Sequence, residues 1–159
     1  MKHGSIYGLL ILAVIVTGSL PFRGHDVAKL RPVEVILAGY DGENVRITTD
    51  TEDEGVGATW QQAMTDLERR ASGVIFQGTV SYILLEDQDL LPVVLENTVL
   101  NPNCRVCLVD GEPELKDVSA YLDTHNPDSS LRQLRADNPG GLPRLDCADG
   151  RYMLEHGNG

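Results

Sequence analysis

The longest apolar stretch of the chain lies at its start, where Gly4 to Phe22 carries no charged side chain and Ile6 to Val16 is apolar almost throughout. After it the pattern breaks into short units. Val33 to Ala38 reads as an apolar strand and Val45 to Thr51 as its β-branched partner, with the turn-rich Tyr40-Asp41-Gly42-Glu43-Asn44 between them, the signature of a hairpin. Glu52 to Gly57 reads as an acidic, flexible connection. Thr59 followed three positions later by Gln62 has capping-box spacing, and Trp60, Ala63, Met64 and Leu67 recur at helical intervals up to a stop at Ser72-Gly73. Val80 to Leu85 predicts a buried strand, Asp87 to Leu100 a helix with Pro92 in its first turn, and Cys104 to Val109 another buried strand. Pro113 opens a helix through about Asp123, and Ser129 caps a short one through Leu131 and Leu134. Asn138 to Gly141 is a linker. Leu142 to Cys147 and Arg151 to Glu155 flank Ala148-Asp149-Gly150 as a terminal hairpin.

An opening hairpin followed by alternating helices and strands predicts an α/β fold: a mixed sheet with helices packed on it and a C-terminal β-hairpin. The 159 residues accommodate one such domain, residues 23–159, behind a leader at residues 1–22. Lys2, the apolar run and the small residues Thr17-Gly18-Ser19 form a signal-peptide pattern. As a helix, residues 4–22 reach about 28 Å, close to a hydrocarbon core of about 30 Å, so the leader serves either as a cleaved signal or as a retained anchor. The domain is accordingly expected outside the cytoplasm, anchored or secreted.

Charge changes the picture by exclusion. Thirteen Lys and Arg face 24 Asp and Glu, a net charge of −11, and no basic stripe offsets it. Such a surface repels phosphate backbones, so nucleic-acid binding is not expected. Aromatics are 5% of the chain, which leaves the core to aliphatic side chains.

Candidate chemistry is sparse. Cys104-Arg-Val-Cys107 has CxxC spacing, but on a strand the two α-carbons lie about 10 Å apart, beyond the roughly 7 Å a disulfide tolerates, and the side chains face opposite ways. Both are expected to be core thiols. Asp50, Glu52, Asp53 and Glu54 lack the spacing of a calcium loop. His3, His25, His125 and His156 match no metal or triad pattern; Gly55-Val-Gly57 does not complete a dinucleotide fingerprint, and no Walker-type phosphate loop is present. No catalytic, cofactor-binding or metal-binding set is therefore put forward, and a non-enzymatic role is expected. Paired carboxylates leave a hydrolase as the lesser alternative.

Several stretches together resemble the N-terminal domain of the Ger(x)C spore germination lipoproteins. Val16-Thr-Gly-Ser19-Leu-Pro-Phe-Arg23 resembles the family's leader and lipobox, with Ser19 where the lipidated cysteine stands. Ile36-Leu-Ala-Gly-Tyr-Asp41 with Val45-Arg-Ile-Thr-Thr49 resembles its first two strands, Gly57 to Arg70 its first helix, and Ile75-Phe-Gln-Gly78 its approach to the next strand, although Thr79 replaces a customary histidine. Tyr82-Ile-Leu-Leu-Glu86 and the Asn101-Pro-Asn103 break before the Cys104 strand continue the likeness, which spans about residues 11–121. The family continues through two more domains, so a shortened relative is expected here. The resemblance implies a non-catalytic, membrane-attached accessory subunit of a nutrient receptor at the spore inner membrane, with membrane receptor subunits as protein partners. The alternative is a secreted or anchored binding module unrelated to germination.

Overall fold

The computed structural model describes residues 30–136, 141–148 and 150–157. The expected leader and most of the expected linker, Asn138 to Gly140, lie outside them. Among the described residues no helix is long and apolar enough to cross a membrane.

A seven-stranded sheet in the order β4-β3-β2-β6-β7-β8-β9 forms the frame. Its centre is parallel: β2 (Val35–Asp41), β6 (Tyr82–Leu85), β7 (Arg105–Gly111) and β8 (Arg144–Ala148) all run the same way. Antiparallel strands finish both sides. β3 (Asn44–Thr49) and β4 (Glu54–Gly57) extend from β2, and β9 (Arg151–Glu155) folds back on β8. A separate two-stranded parallel ribbon joins β1 (Leu30–Pro32) to β5 (Val74–Phe76). The mixed sheet with packed helices and the terminal hairpin are as the pattern predicts.

Period-two alternation sends side chains of each central strand into two cores. Ile36, Ala38, Ile47, Ile83, Leu85 and Val106 face three helices: α1 (Trp60–Arg70), α2 (Leu91–Glu96) and α4 (Leu131–Ala136). Val35, Leu84, Cys107, Val109 and Leu145 face one helix, α3 (Leu115–His125), through Leu115, Val118 and Leu122. Burial of all four residues of β6 follows from its place at the centre of a sheet covered on both sides. Tyr82 reaches out of that strand to α3, where its hydroxyl donates to Asp123 Oδ1 at 2.6 Å.

Three segments differ from expectation. The segment 52–57 contains a strand, because β4 pairs with β3 and lies directly under α1. An added Cβ at Gly55 would stand 2.2 Å from the Ala63 carbonyl oxygen, and one at Gly57 2.5 Å from the Ala63 nitrogen. Glycine here permits close approach of two backbones, where the sequence suggested flexibility. The helix expected over 87–100 is a 3₁₀ turn (Gln88–Leu90) leading into a short α2. It stops because Asn97 Oδ1 accepts from the Val99 N–H, while Arg135 of α4 donates to the carbonyls of Leu95 and Asn97 at 2.8 and 2.6 Å. Ser130, rather than Ser129, stands before α4: its Oγ accepts from the Gln133 N–H, and Gln133 Oε1 accepts from the Ser130 N–H. At α1 the expected cap holds, with Thr59 Oγ1 accepting from the Gln62 N–H at 3.3 Å.

Candidate functional site

Parallel sheets offer ligands a crevice beyond the carboxyl ends of their strands, where successive connections leave for opposite faces. That condition is met between β6 and β7. The chain after β6 turns toward the α2 side, burying Leu90 and Val94 in the first core, whereas the chain after β7 turns toward α3. The resulting cavity of about 340 Å³ is lined by Glu86, Asp87, Gln88, Asp110 and Arg144, among others.

Its carboxylates already have partners. Glu86 lies over Gly39, and its two carboxylate oxygens accept from Arg46 Nη2 at 3.1 and 3.3 Å. Asp110 accepts from Arg144 Nη1 at 3.3 Å, and Asp87 Oδ1 from the Asp89 N–H at 2.8 Å. Among the described residues no group of three or more His, Cys, Asp or Glu is arranged to hold a metal ion. The histidines do not converge here. His125 sits in the last turn of α3, stacked on Tyr121 with ring centroids 4.0 Å apart, and His156 pairs with Asp128 at 2.9 Å. His3 and His25 lie outside the described residues.

The acidic run has structural duties. Both carboxylate oxygens of Asp50 accept from the Glu34 N–H, the Asp53 carboxylate accepts from Thr51 Oγ1 at 2.7 Å, and Glu52 pairs with Lys116 at the start of α3. That last contact holds the Glu52 carboxyl below its usual range, through the hydrogen bond from Lys116 and its charge.

Cys104, immediately before β7, and Cys107 within it are free, buried thiols that belong to opposite cores. Burial pushes Cys104 up to about 11 and Cys107 up to about 12, so at neutral pH neither is a thiolate nucleophile. Cys147, half-buried on β8, is likewise raised to about 11, chiefly by burial.

The sheet's two outer strands are treated differently. β4 is held under α1, and its Val56 N–H is taken by Asp66 Oδ2 at 3.2 Å. Asp66 is 7% exposed; that N–H, with Arg69 and Arg70 beside it, holds its carboxyl below the usual range although burial pushes the other way. At the opposite side the β8–β9 hairpin packs only one face. Leu145, Tyr152 and Leu154 turn toward α3, and Arg144, Asp146, Ala148, Arg151, Met153 and Glu155 are all exposed on the other. Among the described residues no element covers that second face, and Met153 is 57% exposed on it.

Sequence reasoning located the hairpin but not its open side, because alternation alone does not tell which face finds a partner. It also left Arg46 and Arg144 unremarked, although strand arginines beside Glu86 and Asp110 are legible once the strand order is known. No family model matches the chain, and no curated protein or solved structure matches it.

Proposed function

We propose that the chain is a non-catalytic, extracytoplasmic interaction domain, related to the accessory subunits of spore germination nutrient receptors, that binds a membrane receptor subunit. The observation that carries the interaction reading is the open face of the β8–β9 hairpin. A sheet whose centre is covered on both sides ends in a strand pair with one face packed and the other, among the described residues, bare, mixed in charge and carrying an exposed methionine. The apolar leader supports an extracytoplasmic location, anchored or secreted, and the resemblance of residues 11–121 supplies the partner class and, with it, the spore inner membrane.

The test uses the full chain in dormant spores. The wild type should co-purify with a multi-spanning receptor subunit, and Asp146→Arg, which changes one exposed carboxylate on the open face, should lose it. Undiminished co-purification would move the contact elsewhere, and absence of any receptor subunit would overturn the germination reading. Surface substitution is the cleaner design, because deleting residues 142–159 would also remove the buried Leu142 and Leu145.

The β6–β7 crevice favours one alternative, a carboxylate-dependent hydrolase using Glu86 and Asp110. In that case Glu86→Gln and Asp110→Asn would each abolish a hydrolytic activity of the wild type.

A further inference from the structure

We infer that the outer side of β9, an edge of the sheet among the described residues, pairs with β9 of a second copy of the chain, antiparallel about a twofold axis at Met153. The inference does not depend on the identity of the receptor partner.

The hairpin register fixes which groups are available. Ala148 pairs with Arg151 across the turn, and Asp146 with Met153, so alternation along the ladder turns the backbone N–H and C=O of Tyr152 and Leu154 away from β8. Two copies meeting through those outward groups align Tyr152 with Leu154 of the second copy as hydrogen-bonded pairs. Met153 then opposes its own counterpart as the intervening, closer pair. The same register sets Arg151 opposite Glu155 of the second copy, twice by symmetry.

Every juxtaposition is complementary. Opposite charges meet on the face that carries Arg151 and Glu155, an aromatic ring meets an aliphatic side chain on the α3 face, and Met153, the large apolar side chain left 57% exposed on the hairpin, is covered by its equivalent. A C2 interface requires this kind of self-complementarity. One bond must be exchanged: in the single chain the Leu154 N–H donates to the Tyr121 hydroxyl at 3.0 Å. In the dimer that N–H donates to the Tyr152 carbonyl of the second copy, and the Tyr121 hydroxyl turns to solvent. Tyr121 thus guards the strand against unspecific pairing, and only a strand offering the full set of matches displaces it.

The test is a charge swap read by crosslinking and sedimentation of the full chain in mild detergent. In a Cys147→Ser background, which removes the half-buried third thiol, Met153→Cys should form a disulfide-linked dimer under gentle oxidation, because the two positions face each other across the axis, while Cys147→Ser alone, with Cys104 and Cys107 buried, forms none. Adding Arg151→Glu turns both charged pairs repulsive and should weaken association about tenfold. A second variant, Glu155→Arg, should weaken self-association to the same extent but restore a mixed dimer with the Arg151→Glu chain, which also establishes that each variant is folded. Tyr121→Phe should tighten the dimer by freeing the Leu154 N–H. A chain that stays monomeric at all concentrations, including one whose β9 is occupied by its own residues 23–29, overturns the inference. So does a mixed dimer no stronger than either variant alone.

Discussion

Replacing Gly55 with alanine separates two accounts of residues 52–57 by sign. If this stretch were the flexible connection that its acidic, glycine-bearing sequence suggests, Gly55→Ala would stabilise the protein by about 0.4–1 kcal/mol, by restricting the unfolded chain. In the folded protein Gly55 is buried between β3 and α1, and its new methyl group would stand 2.2 Å from Ala63 O and 2.5 Å from Leu67 N. Both are backbone atoms, so no side-chain rotation relieves the overlap. The helix must shift by about 1 Å, an ordinary carbon–oxygen contact being well above 3 Å, and the fully buried Ala63 and Leu67 move with it. Overpacking of this kind costs about 1–3 kcal/mol, and the strained hydrogen bond from Val56 to Asp66 adds to it. A net loss of about 2–4 kcal/mol is expected in urea unfolding followed by circular dichroism, with Gly42→Ala as the control. Gly42 has φ +62° in the β2–β3 turn and open space around it, so only the backbone penalty of about 1 kcal/mol applies there. A Gly55→Ala protein as stable as the wild type, or more stable, would refute the close packing of β4 against α1.

Two further perturbations probe the cores. Tyr82→Phe should cost about 1–2 kcal/mol through loss of the bond to the Asp123 carboxylate, and a double-mutant cycle with Asp123→Ala should assign most of that to the pair; a coupling near zero would show that α3 is held by apolar contacts alone. The thiols give stability a pH dependence on the alkaline side. Cys104 and Cys107 have folded values raised to about 11 and 12 from an ordinary value of 9.0, so the unfolded chain gives up these protons first. Their contribution is complete below about pH 9 and is lost as pH rises through 11 and 12. Chemical denaturation across that range should show a fall that Cys107→Ala makes shallower, and both thiols should react slowly with iodoacetamide at pH 7 until the protein unfolds.

The sequence by itself determined the elements whose causes are local. Thr59 and Gln62 lie within one turn, so the start of α1 is legible from their spacing. The run Tyr82 to Leu85 announces a strand with two covered faces, and the three-residue spacing of Cys104, just before β7, and Cys107 within it goes with their places in different cores. What depends on residues far apart in the chain was decided only by tertiary structure. β4 is a strand because β3 and α1 close on it, β1 and β5 exist only as a pair separated by more than forty residues, and α2 ends where Arg135 reaches its carbonyls from another helix. The same holds for the candidate sites. Glu86 meets Arg46 and Asp110 meets Arg144 through strand order, and among the described residues the hairpin's polar face stays open because α3 covers only the opposite side, a difference that a period of two along the chain does not encode.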